Sequence, residues 1–161
     1  MDKIVDINVS EEQVKKWVQN QRNYFDSNVT RSAEFRIAQL KKIKVLLFKY
    51  EDEMYEAIFS DFGKSKYETQ LTEFFPLIDE IDLAIKKLKK WMKRKKVKTN
   101  LLNFPAKSYL VPEPLGVALV IGAWNFPYNL SLIPLVGAVA AGNTVIVKPS
   151  EIPAETSKII A

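Results

Sequence analysis

Two short apolar runs, Val117-Ala118-Leu119-Val120-Ile121 and Thr144-Val145-Ile146-Val147, flank one helix-length stretch of small and apolar residues, Phe126 to Ala141. No other feature constrains the fold as tightly. The first run has no polar member, as in a strand covered on both faces. The second is β-branched, which suits a pleated, buried surface. Pro127 falls near the first turn of the intervening stretch, where a missing N–H costs nothing. Gly142-Asn143 then supplies a helix stop. Strand, helix and strand in that order predict a parallel pair joined by a right-handed crossover. Two parallel strands do not complete an α/β sheet. The expectation is therefore an α/β chain, helices followed by a β-α-β unit, whose parallel sheet is incomplete at its C-terminus. Pro149 and Pro153 precede a further helix from Glu155 to Ala161.

The residues upstream are of another kind, and the change falls near Pro105. All of the 24 Lys and Arg residues precede it except Lys107, Lys148 and Lys158. So do all of the 19 acids except Glu113, Glu151 and Glu155. Residues 1–105 read as a helical N-terminal segment and 106–161 as the β-α-β unit. Three helices are expected in the first part. Ser10-Glu11-Glu12-Gln13 has the spacing of a capping box, and Val14, Trp17, Val18, Gln21 and Phe25 follow at helical steps. A second helix starts near Thr30, carries Leu40, Ile43, Leu47, Tyr50, Met54 and Ile58 on one face, and stops at Asp61-Phe62-Gly63. A third carries Leu71, Phe74, Ile78, Ile81, Ile85, Leu88 and Met92, with Pro76 expected to kink or restart it. The 3-4 spacing of this last stripe fits either a helix packed on a neighbour or a short coiled coil.

Composition closes off several kinds of chemistry. The chain has no cysteine and no histidine. It thus offers no thiol nucleophile, no disulfide, no His-assisted triad and no soft metal site, and no metal is expected. The net charge is +5, and much of the excess lies in the run Lys86 to Lys98. That run reads as the solvated end of the third helix, where cations complement the helix dipole. No nucleic-acid partner is expected, because base-stacking aromatics are not interleaved with it. Met1-Asp2-Lys3-Ile4 lacks the apolar core of a leader. The most apolar stretch, Val117 to Val147, is broken by Asn125, Pro127, Asn129, Pro134, Gly142 and Asn143, so no transmembrane segment is expected. The expected compartment is the cytoplasm.

Two clusters sit where ligands bind in open α/β sheets, at the carboxyl ends of the strands. In Trp124-Asn125-Phe126-Pro127, Asn125 is placed either to cap the following helix or to donate its amide to a developing oxyanion. In Lys148-Pro149-Ser150-Glu151, the charged pair is placed either to hydrogen-bond sugar hydroxyls or phosphate, or to form a solvated turn. No Gly-x-Gly-x-x-Gly or Gly-x-x-x-x-Gly-Lys-Ser/Thr loop is present.

Taken in order, Glu113-Pro114-Leu115-Gly116-Val117, Ile121-Gly122-Ala123-Trp124-Asn125-Phe126-Pro127 and Gly137-Ala138-Val139-Ala140-Ala141-Gly142-Asn143-Thr144-Val145-Ile146-Val147-Lys148-Pro149-Ser150-Glu151 resemble the aldehyde dehydrogenase superfamily, within it the class 3, fatty-aldehyde-type branch. Arg36 followed by Leu40, and the stretch Glu73 to Trp91, support that branch. The resemblance runs along nearly the whole chain and corresponds to about the first third of a family member. It implies an α/β fold, with N-terminal helices followed by the first β-α-β of a Rossmann-like parallel sheet, and oxidation of aldehydes to acids with NAD or NADP. Asn125 is then the oxyanion-stabilising amide, Lys148 and Glu151 hold the adenosine ribose, and Trp124 and Tyr128 lie near the substrate tunnel. It also implies a homodimer for the full-length enzyme. The family's cysteine, general-base glutamate and pyrophosphate-binding glycine turn lie further along its chain, so these 161 residues alone are expected to be inactive. The alternative is a non-catalytic product that binds nucleotide weakly or pairs with a full-length subunit.

Overall fold

A computed structural model describes residues 9–161, and the Met1–Ile4 reading lies outside the described residues. The first helix, α1 (Glu11–Asp26), opens as its sequence dictates: Ser10 Oγ accepts from the Gln13 amide at 3.2 Å. It lies across the strands of the second half, with the Thr144 hydroxyl donating to the Gln21 carbonyl at 3.3 Å. Val18, Gln21 and Phe25 are partly covered, whereas Val14 and Trp17 stay exposed.

The expected second helix is two. A single 3-10 turn (Val29–Arg31) precedes α2 (Ala33–Lys49), which is capped by Ser32. At Tyr50 the backbone leaves helical geometry (φ −106°, ψ 18°), and α3 (Glu51–Phe62) begins. Lys49 ends one helix and Glu51, Asp52 and Glu53 begin the next. Each charge thus favours the helix dipole it faces, which stabilises the break. The apolar stripe continues across it, since Leu40, Leu47, Met54 and Ile58 are all buried. Gly63 then stops α3 in the left-handed region, at φ 69°.

The third helix is not restarted at Pro76 but runs through it. A short α4 (Lys66–Thr69) passes into a π turn (Gln70–Phe74) and on into α5 (Phe75–Trp91), with helical backbone throughout and Pro76 just after the π turn. The Phe75 amide donates to the Gln70 carbonyl across the π turn, and Glu73 and Phe74 are buried there. The stripe of α5 packs between α2 and α6 (Pro127–Ala141), so the packed-helix reading holds and not the coiled coil. Leu77, Ile81, Ala84 and Leu88 join Leu40, Met54, Ile58, Tyr128 and Val136 in one core.

The lysine run does not stay helical. Lys95–Val97 forms β1, antiparallel to β2 (Ser108–Leu110) in a hairpin that crosses Pro105, and the Arg94 guanidinium lies 4.4 Å from the Tyr109 ring centroid. β3 (Val117–Ile121) and β4 (Thr144–Lys148) pair in parallel, with Val117 opposite Thr144 and Ile121 opposite Lys148. In β3, Val120 is buried while Leu119 and Ile121 on the opposite face are exposed; in β4, Thr144 is buried and Val145, Ile146 and Val147 are partly covered. Both α1 and α6 pack on the two strands. The last helix, α7 (Ala154–Ile160), packs on α3.

Candidate functional site

The register of the parallel pair brings the two sequence clusters to one edge. Ile121 and Lys148 end their strands side by side, and the Gly122 amide donates to the Lys148 carbonyl at 2.9 Å. Gly122 has no side chain for a packing reason: a Cβ there would collide with Ser131 Oγ of α6. The chain then turns through Trp124, Asn125 and Phe126 into α6. Phe126 holds the N-cap position and gives no side-chain cap. The capping reading of Asn125 therefore has no bond behind it. The Asn125 side chain is exposed, and its carboxamide has no hydrogen-bond partner among the described residues.

What holds this turn comes from the helical half. Lys64, just after α3, donates to the Asn125 carbonyl at 2.9 Å and to Glu73 Oε1 at 3.1 Å. Its ammonium lies 4.2 Å from the Phe126 ring centroid and 5.3 Å from that of Phe62. Glu73 is wholly buried in the π turn, and its Oε2 accepts from the Tyr128 amide at 2.9 Å. Glu73 thereby caps α6 from another helix. Burial pushes its carboxyl above the ordinary range, against the opposing pull of Lys64 and the Tyr128 and Asn129 amides. Asn129 Nδ2 donates to the Thr72 carbonyl at 2.5 Å, which ties the first turn of α6 to the same π turn.

The two aromatic positions part company. Trp124 is half-exposed and stacks on Phe62, with ring centroids 6.5 Å apart. Tyr128 is buried beneath α3, its hydroxyl donating to the Met54 carbonyl at 2.8 Å. Burial, with Glu73 nearby, pushes its phenol well above the ordinary range. Trp124 thus borders solvent, while Tyr128 is a core residue.

At the neighbouring strand end, Lys148 and Glu151 form an ion pair and both remain about half-exposed. The bond from Lys148 holds the Glu151 carboxyl below its ordinary range. The turn beneath them is fixed from inside. Ser157 Oγ donates to the Ser150 carbonyl, and Asp61 of α3 accepts from the Glu155 and Thr156 amides at 3.2 and 2.7 Å. A solvent-facing ammonium beside a carboxylate offers a donor and an acceptor to a diol. No group of His, Cys, Asp or Glu among the described residues could hold a metal ion. None of their helices is long and apolar enough to cross a membrane.

The far end of α6 is held as well. Buried Arg36 donates from Nε to the Thr30 carbonyl at 2.8 Å and from Nη1 to the Ala140 carbonyl at 3.3 Å. Gly142 (φ +91°) lies against that guanidinium, leaving no room for a Cβ. Reading the sequence for chemistry missed Lys64 and Asp61, and it gave Arg36 and Glu73 no task. One signal was present: Glu73 is a lone acid among Leu71, Phe74 and Phe75. A charge set into an apolar stripe needs a buried partner.

Residues 3–161 match the sequence model of the aldehyde dehydrogenase family. Aldehyde dehydrogenase family 3 member H1 of Arabidopsis thaliana is 45% identical over 86% of this chain and 29% of its own length. The 4,4'-diaponeurosporen-aldehyde dehydrogenase of Staphylococcus aureus is 42% identical over 85% and 30%. Among solved structures, substrate-bound Staphylococcus aureus AldH superposes with a TM-score of 0.88 at 39% identity, covering 91% of this chain and 32% of that one. The chain thus spans less than a third of the length of these relatives. The fold is α/β, with helices leading into a β-α-β of Rossmann-like type.

Proposed function

Since the chain belongs to the aldehyde dehydrogenase family, we propose that the protein carrying it oxidises aldehydes to carboxylic acids with NAD or NADP. In this reading residues 1–105 form the helical segment of the cofactor-binding domain and 106–161 its first β-α-β unit. Asn125 donates its carboxamide to the oxygen of the aldehyde as negative charge builds there. The observation that carries this role is a free, exposed carboxamide on a turn clamped through its backbone at the carboxyl end of β3. Such preorganised donors stabilise developing charge because they need no rearrangement when it forms.

Lys148 and Glu151 fit the adenosine ribose, since their donor and acceptor face solvent at the adjoining strand end. Bound there, the dinucleotide supplies the hydride acceptor. Trp124 borders the aldehyde's approach. Tyr128 contributes from inside the core, by fixing the first turn of α6 against Met54. The protein is proposed as a cytoplasmic homodimer, without nucleic-acid or membrane-spanning partners.

These 161 residues contain no cysteine, so they hold no thiol to add to the aldehyde. Given hexanal and either dinucleotide, this chain by itself is expected to form no NADH or NADPH; turnover by a chain of verified mass would refute that. In the protein with its nucleophile present, Asn125→Ala should lower turnover about 10²-fold or more. An unchanged rate would remove Asn125 from the oxyanion role.

A further inference from the structure

We propose that the Lys64–Glu73 pair is a positioning device for Asn125, setting the direction of its carboxamide through the backbone without touching the substrate. The inference rests on the oxyanion role given to Asn125 above. It begins from an asymmetry: the Asn125 side chain has no partner among the described residues, while its surroundings are restrained from four directions.

The Asn125 carbonyl is fixed by the Lys64 ammonium at 2.9 Å. Three residues on, the Tyr128 amide is fixed by the Glu73 carboxylate at 2.9 Å. Lys64 and Glu73 are themselves joined at 3.1 Å, so one ion pair holds both ends of the turn. The flanking rings report to the same cation. Phe126 lies over it at 4.2 Å, and Phe62, which also faces it, carries Trp124 on its other contact. With the carbonyl plane and both neighbouring rings held, the Cα–Cβ direction of Asn125 has little freedom left.

A buried ion pair is poor evidence for stability, because desolvating two charges offsets their attraction. The arrangement instead aims both charges at backbone groups around one exposed amide. An oxyanion donor works only within a narrow range of position, and a misplacement of about 1 Å can cost about 10²-fold in rate. Lys64 and Glu73 are therefore positioning residues, acting through Asn125.

The test is a double-mutant cycle in the active enzyme that carries this chain. Lys64→Met should lower kcat by about 10-fold to 10²-fold, leaving KM for the dinucleotide within about twofold, and Lys64→Arg should recover most of the loss. In an Asn125→Ala background, Lys64→Met should cost no more than about twofold further, because the group it directs is gone. If Lys64→Met does not fold, Glu73→Gln, which keeps an acceptor for the Tyr128 amide, enters the same cycle. An undiminished penalty in the Asn125→Ala background overturns the positioning role while leaving the oxyanion role standing. An Asn125→Ala enzyme with unchanged turnover overturns both.

Discussion

Three helices of the first part, α1, α2 and α4, begin on serines of their own, whereas those of the second begin on residues borrowed from the first. Ser10, Ser32 and Ser65 each accept the amide three positions ahead, at 3.2, 3.1 and 3.1 Å. In contrast, α6 and α7 begin at Phe126 and Pro153 with no side-chain cap. Their orphan amides go to Glu73 and Asp61, and the C-terminal end of α6 goes to Arg36. The difference follows from where the helices sit. α1 is a surface helix with room for polar ends. α6 is apolar nearly all round and packs against α2, α5, β3 and β4. A helix enclosed in that way has its ends satisfied by neighbours, because buried orphan groups are costly.

Substitutions at the borrowed caps should therefore be worse than those at the local ones. Glu73→Ala should be the most damaging, at about 3–5 kcal/mol, because it strands Lys64 without its partner and frees the Tyr128 amide. Urea unfolding measures it; a loss below about 1 kcal/mol would erase the distinction between the two sets of caps. Gly142→Ala should cost about 1–3 kcal/mol, since it joins a positive φ to a collision with Arg36. Ser32→Ala should cost only about 1 kcal/mol, as at an ordinary exposed cap. If it equals Glu73→Ala, the comparison fails from the other side.

The smallest effect is read by alkaline titration. Burial, together with Glu51 for Tyr55 and Glu73 for Tyr128, raises both phenols above their ordinary value of 10.0. A raised folded value means that the unfolded chain gives up these protons first. Their contribution is therefore intact below pH 10 and is lost as pH rises beyond it. In absorbance titration, Tyr55→Phe and Tyr128→Phe should each remove amplitude only from the late, unfolding-linked rise. Loss of early amplitude would place that phenol in solvent.

The same contrast explains what could be read in the sequence. The serine cap at Ser10, the stop at Gly63 and the β3–α6–β4 order are written in neighbouring residues, so spacing revealed them. The break at Tyr50 was harder, because the apolar stripe runs straight through it and only the switch from Lys49 to Glu51-Asp52-Glu53 marks it. The β1–β2 hairpin was hidden by lysines that fit a helix end equally well. At the site, Asn125, Lys148 and Glu151 were visible as polar residues at strand ends. Lys64 and Asp61 were not, since their partners lie 61 and 94 residues away. Pairings at that separation are set by how α3 packs against α7 and the start of α6, not by any local pattern.

Hydrogen exchange at single amides is the most direct test of that dependence. Tyr128 and Thr156 stand in first turns, where an amide has no partner within its own helix, and the Gln13 amide stands at an exposed local cap. Tyr128 and Thr156 should be protected far more strongly than Gln13, and Tyr128 should lose that protection in Glu73→Ala while Gln13 is unchanged. If Tyr128 exchanges as fast as Gln13 in the unaltered chain, α6 is not capped by the helical half.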